Sequence, residues 1–264
     1  MDDLRSKADE PVPSGRDLPD PPWRAPLRGQ TTPRTPLTRD AIIDAALRVL
    51  EREGMDGLSM RKVGEELGTG AASLYWHVRN KDELFQLLFE RVTGEVELPE
   101  PDPARWQDQL KELGRAMLNV MREHRDVARI SLGRIPSGPT LARFVEWMFA
   151  LLQPVGIPDR VIAFLGDFVS LYIGALAFEE SLGLISPTGE DLPPEEIMRM
   201  LREYTLSLPA DRFPRTHAAV DVIFGGTPDE RFEFALDLVV RGLETYARSG
   251  PAGGVALSAG NGTA

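Results

Sequence analysis

Tyr75, Trp76 and His77 occupy consecutive positions just after Ala71, Ala72, Ser73 and a single aliphatic anchor, Leu74. A helix buried for stability alone rarely carries Tyr, Trp and His in a row. Laid in a major groove, such a helix would meet base edges and thymine methyls through its small residues. Its aromatic and imidazole tips would reach phosphates. Arg61 and Lys62 upstream, with Arg79 and Lys81 downstream, bracket it with cations suited to a phosphate backbone. That chemistry is recognition of nucleic acid rather than catalysis.

Catalytic patterns fare worse. His77, His124 and His217 are far apart, and no His-Glu-x-x-His, Gly-x-Ser-x-Gly or Walker loop occurs. The run His124-Arg-Asp126 has the letters of a kinase catalytic loop, but no Asn follows at the required distance, so a helix junction or interdomain ion pair is the better reading. Gly68-Thr-Gly70 begins like a dinucleotide fingerprint, yet no strand leads into it and the third Gly is missing. With no Cys, the chain has no disulfide, thiolate metal site or cysteine nucleophile. Neither a cofactor nor a metal is expected, and the chain is read as no enzyme.

The elements that must position these residues read as helices. From Thr38 to Glu53, Ile42, Ala45, Ala46, Val49 and Leu50 follow a 3.6-residue period, and Gly54 stops the helix. A short helix, Ser59 to Leu67, has Ser59 at its cap and Leu58 placed to staple onto Val63. Gly68 turns the chain, Thr69 caps a third helix from Gly70 to about His77, and Asn80-Lys-Asp-Glu83 opens a fourth. Two short helices around a tight Gly turn form a helix-turn-helix. Prolines 99, 101 and 103 mark a break. Beyond it, helices are expected at Trp106 to Glu123, Asp126 to Leu132, Pro139 to Leu152, Pro158 to Leu184, Glu195 to Tyr204 and Pro228 to Arg248. No segment alternates with period two, so the class is all-α.

The 264 residues carry a net charge of −11, which by itself argues against nucleic acid. The charge is unevenly placed. Arg34 to Lys81 holds eight bases against seven acids, leaving the acidity to the rest of the chain. Residues 1–36 are Pro-rich and 249–264 Gly/Ala/Ser-rich, and both are expected to be disordered. Between them, 37–84 is read as the DNA-binding domain and 85–248 as a helical ligand-binding and dimerisation domain. The N-terminus lacks a secretory pattern, and the longest apolar run, Phe168 to Phe178, is shorter than the ~20 residues of a bilayer span. A cytoplasmic protein without membrane association is expected.

Residues 38 to 93, and Leu74-Tyr-Trp-His-Val-Arg-Asn-Lys81 above all, resemble the DNA-binding domain of the TetR family of bacterial transcriptional repressors. The resemblance continues through Trp106-Gln-Asp108, His124-Arg-Asp126, Leu132-Gly133 and the helix from Phe234 to Tyr246, and is close to the family's tetracycline-responsive branch. It implies DNA contacts at Arg61, Thr69, Ala71, Ala72, Ser73, Tyr75, Trp76, His77 and Lys81. Ala71 and Ala72 replace a Gln-Pro pair of that branch, so they offer only apolar contact, and a different operator is expected.

In the larger domain the resemblance implies an effector pocket at Leu113, Met117, Ser131, Arg134, Trp147 and Glu179. Ser131 stands where the tetracycline-responsive branch holds drug-bound magnesium through a His, so a metal–tetracycline complex is a poor fit. Met117, Met121, Phe144, Trp147, Met148, Phe164 and Phe168 point to an apolar effector instead, with Arg134 placed to pair an anionic group. The helix from Pro158 to Leu184 is apolar on more than one face and, with Phe232, Ala235, Leu236, Val239, Leu243 and Tyr246, matches the family's two-fold interface. The expected protein is a homodimeric repressor of a palindromic double-stranded DNA operator, released by a small molecule. A constitutive regulator or activator, and a small-molecule-binding enzyme, remain as alternatives.

Overall fold

The computed structural model describes residues 37–132, 137–183, 186–190 and 192–249. The Pro-rich arm, the far tail and Arg134 lie outside the described residues. Among the described residues all regular structure is helical.

Helix α1, Arg39–Gly57, opens on Thr38, whose hydroxyl accepts from the Ala41 N–H at 3.1 Å. Its apolar stripe is fully buried, as the periodicity requires. Gly54, at φ +74°, interrupts it, and one further turn reaches Gly57. Helix α2, Met60–Glu66, is capped by Ser59, which accepts from Lys62 N–H at 3.3 Å, and Leu58 and Val63 share one buried cluster. Gly68 then turns left-handed at φ +62°.

Helix α3, Ala71–Leu74, is shorter than the spacing predicts. It is a single turn, after which the N–H groups of His77 and Val78 both donate to the Leu74 carbonyl. Gly70 holds the cap position and no side chain caps the helix, so Thr69 does not take that role. Its hydroxyl bonds that of Ser73 at 3.3 Å instead, because the tight turn brings the two together. Helix α4, Lys81–Thr93, starts as expected, with Asn80 accepting from Glu83 N–H at 2.8 Å. Glu83 reaches back to accept from Arg79 N–H at 2.6 Å.

Helix α4 crosses the expected boundary between residues 84 and 85 without a break. Leu84, Phe85, Leu87, Leu88 and Val92 bury into the head cluster, which Val127 and Ile130 of the body also enter. The head is therefore closed by the body, not strung from it.

The body contains α5, Trp106–Glu123; α6, Val127–Ser131; α7, Pro139–Leu152; α8, Asp159–Leu182; and the last helix, Pro228–Ser249. The last helix begins with a reciprocal capping box. Thr227 N–H donates to the Glu230 carboxylate at 2.7 Å, and Glu230 N–H donates to the Thr227 hydroxyl at 3.1 Å. Between these lie α9, Pro194–Ser207, and two short helices without a periodic signal, α10, Pro214–Ala218, and α11, Val220–Ile223. The three pack on one another, and the last helix is α12. Helix α8 as a whole, unlike its uninterrupted apolar run, is long and apolar enough to cross a membrane by length and composition. Its Ile162, Leu165, Ile173 and Ala177 are buried among apolar residues of the body.

Candidate nucleic-acid interface and effector chamber

Leu74 is completely buried and holds α3 to the head, while Ala72, Tyr75 and Trp76 stand in solvent. Tyr75 and Trp76 are 45% and 53% exposed, although both are among the bulkiest residues of the head. Ser73 and His77 are half-buried, and the His77 carbonyl accepts from Arg39 Nε at 3.4 Å, tying this turn to the start of α1. Lys81 is exposed, with its Nζ 5.1 Å from the Phe85 ring centroid, a cation–π contact that holds the ammonium beside the turn.

The two cations ahead of α3 differ. Arg61 is exposed and makes an i,i+4 pair with Glu65 at 2.7 Å, a solvated pair that is easily exchanged for a phosphate. Lys62, which the spacing groups with it, turns inward to Glu53. Arg52, also paired with Glu53 and with Glu66, completes a charge cluster that braces α1 against α2. Gly64 carries no signal in spacing or composition. A Cβ there would lie 2.8 Å from the Thr69 carbonyl oxygen and 3.1 Å from the Ala71 nitrogen, so α2 and the turn into α3 touch only because it is glycine.

In the body the expected pocket residues are not gathered in one place. An apolar cavity of about 30 Å³ lies where α5, α7, α8 and α12 meet, lined by Leu113 of the expected contacts and by Met148 of the expected apolar residues. Val169, Leu236 and Val239 form much of the remaining wall. That is room for a water molecule, well short of the several hundred Å³ a drug-sized ligand needs. Met117 is half-buried beside a second apolar cluster. Ser131 donates to the Ala128 carbonyl at 2.7 Å and sits over Gly174, where a Cβ would come within 3.0 Å of its hydroxyl oxygen.

Trp147 is 1% exposed, and its indole N–H donates to the Pro99 carbonyl at 2.6 Å. The structure places it in the core, without a polar atom left for a ligand. Pro99 is exposed, so Trp147→Phe is expected to lose this hydrogen bond and cost about 0.5–1.5 kcal/mol, read as a lowered thermal midpoint.

Two further expectations are corrected. Phe164 and Phe168 do not face the chamber; each is 55% exposed on the outer side of α8. On α12, Phe232, Leu236 and Leu243 point inward, and the exposed apolar residues are Phe234 and Leu238. Periodicity marks a helix as two-faced but does not say which face meets its own chain. Glu179 is exposed, and the neighbouring Glu180 makes a bidentate pair with Arg122 at 2.6 and 2.7 Å. Tyr172, absent from the sequence set, stacks between Phe168 and Phe232 at 6.5 and 6.2 Å. Burial, then the nearby Glu179 charge, push its phenol above the usual tyrosine range. Only its i,i+4 spacing from Phe168 foreshadows this stack.

A reading helix in a three-helix head, joined to a larger helical body, defines a helix-turn-helix regulator. Two family models match: residues 42–88 fit the bacterial regulatory proteins of the tetR family, and 98–247 the tetracyclin repressor-like C-terminal domain. The chain belongs to the TetR family. It is 30% identical over 227 residues to the HTH-type transcriptional repressor DrrR1 of Streptomyces coeruleorubidus, covering 84% of this chain and 81% of that protein. It is 28% identical to the class C tetracycline repressor protein of Escherichia coli, over 79% and 91% of the two chains. The solved structure of ActR from Streptomyces coelicolor in complex with actinorhodin superposes with a TM-score of 0.72 at 40% identity, over 81% and 99%. These findings support a ligand-responsive repressor, and the relatives are regulators rather than enzymes.

Proposed function

We propose that this protein represses transcription in the cytoplasm by binding a roughly palindromic operator as a homodimer, and that a small, largely apolar effector releases it. The observation that carries the reading is α3, whose one buried side chain leaves Ala72, Tyr75 and Trp76 outward beside Arg61 and Lys81. Residues 37–84 supply this head, and 85–248 the body. Arg61, Thr69, Ala71, Ala72, Ser73, Tyr75, Trp76, His77 and Lys81 are its proposed DNA contacts. Two-fold symmetry would present two such turns to successive faces of the major groove. The exposed Phe164, Phe168 and Leu171 on α8, with Phe234 and Leu238 on α12, support the dimer.

Effector contact is proposed for Leu113, Met117, Ser131 and Glu179, around a chamber that opens only on binding. The bound actinorhodin of ActR supports a small molecule in a body of this type. The effector must prefer the DNA-incompetent form, and by linkage DNA must weaken effector binding by the same factor.

A gel shift on the protein's own upstream region, with and without actinorhodin, (S)-DNPA or magnesium–tetracycline, tests the whole reading. Retention at low salt, release by an apolar compound and indifference to magnesium–tetracycline are expected. Failure to bind any palindromic DNA would sink it. Lys81→Ala should keep the dimer, weaken binding and flatten the slope of log K against log salt by about 0.9, one phosphate contact.

A further inference from the structure

Beside the apolar contact of Val127 and Ile130 with the head cluster, the end of α1 meets the body through a set of charged groups. His124, the C-terminal cap of α5, holds Glu51 of α1 at 3.0 Å through Nδ1 and Glu95, just after α4, at 3.0 Å through Nε2. The next residues grip the end of α1. Arg125 donates to the carbonyls of Glu51 and Arg52 at 3.4 and 3.3 Å, and Asp126 accepts from Met55 N–H at 2.7 Å. Arg129 makes two bonds to Asp56 at 2.9 and 3.1 Å. Asp126 adopts φ +60°, and the fit is close enough that a Cβ on Gly54 would come within 2.8 Å of its carboxylate.

His124 is the one member of this junction whose charge changes near neutral pH. A neutral imidazole has a single N–H, so it satisfies one carboxylate and turns a lone pair toward the other. The imidazolium donates to both. We propose that His124 is a positioning residue that clasps the reading head to the body in its protonated form, so that operator affinity depends on pH. The proposal rests on the operator-binding reading above. Clasping fixes the head before DNA arrives, which lowers the ordering cost of binding.

The surrounding charges support a retained proton. Glu51 faces the ring from α1 and Glu95 from the end of α4. Arg122 of its own helix is held away by Glu180 and Asp229, and Arg52 by Glu53 and Glu66. Partial burial pushes the imidazole down, but the bonds and charges of Glu95 and Glu51 outweigh it and hold it above the usual histidine value. A group raised in the folded state stabilises the clasp fully at pH below the ordinary histidine range and loses that contribution as pH rises through the raised value.

The test uses the full-length protein. NMR titration of the His124 ring without DNA reads the proton directly, and fluorescence anisotropy reads operator affinity between about pH 6 and about pH 8.5. His77 and His217 are common to wild type and His124→Gln, so the difference between the two profiles isolates the clasp. Wild type is expected to lose about three- to tenfold more affinity over this range than His124→Gln. Glu95→Gln, at a solvent-facing position where folding is not at risk, should lower the ring's pKa and shift the affinity loss to lower pH. A ring that titrates at or below the ordinary value, or parallel profiles for wild type and both variants, overturns the proposal. Absence of operator binding by wild type at every pH overturns the parent reading, while the ring titration still decides whether the clasp holds a proton.

Discussion

Phe168→Asp combined with Leu171→Asp is expected to convert the protein to monomers and to remove operator retention. These residues are 55% and 64% exposed on the outer face of α8 in the single chain, so within it the substitutions remove the Phe168–Tyr172 stack but no buried side chain. Burying a large apolar side chain contributes about 1.5–3 kcal/mol, and two-fold symmetry counts each position twice. Placing carboxylates there also buries unpaired charge across the interface. Dimer dissociation should strengthen on the order of a thousandfold or more, seen by sedimentation at micromolar protein. Helical circular dichroism should be preserved. A monomer offers one reading turn to one half-site, so operator binding should fall toward the non-specific level. Undiminished dimerisation would mean that another surface joins the protomers.

The second large effect lies at Gly64. An added methyl would meet the Thr69 carbonyl oxygen at 2.8 Å and the Ala71 nitrogen at 3.1 Å. Both are backbone atoms of the turn that leads into α3, and Thr69 N–H already donates to the Gly64 carbonyl at 2.8 Å. The turn has no flexible side chain to swing aside. Gly64→Ala is expected to cost about 1–3 kcal/mol in head stability, and Gly64→Val more, by overpacking. Because the displaced segment is the reading turn itself, operator affinity should fall at least tenfold. Gly70→Ser is the matched stability control. Gly70 sits at the cap of α3 at φ −75°, a Cβ added there would meet no neighbour within 4 Å, and Ser suits a cap. Thermal midpoints and operator titrations of the two variants would separate crowding from composition.

Local signals were legible wherever the physics is local. The caps at Thr38, Ser59 and Asn80, the turn at Gly68 and the box at Thr227 and Glu230 all follow from side chains that reach backbone donors within a few residues. The outward placement of Tyr75 and Trp76 was legible for the same reason, since the short turn has one aliphatic anchor. Thr69 was misread because Ser and Thr suit either a cap or a turn, and the backbone around Gly70 decided between them. The effector chamber was harder. Leu113 lines the cavity and Trp147 lies in the core, a difference that depends on the Pro99 carbonyl, nearly fifty residues away in sequence.

The amino-acid sequence by itself determined an all-helical chain, a near-neutral head on an acidic body and a family resemblance carried chiefly by Leu74 to Lys81. Composition and periodicity are sums over neighbours, and a linear chain specifies them completely. Tertiary structure alone decided that Gly64 must be glycine, that Lys62 turns toward Glu53, and that Phe164 and Phe168 face outward. It alone brought Glu51, Glu95 and His124 together. Each of these depends on which helix faces which, and helical periodicity leaves that choice open until the packed chain makes it.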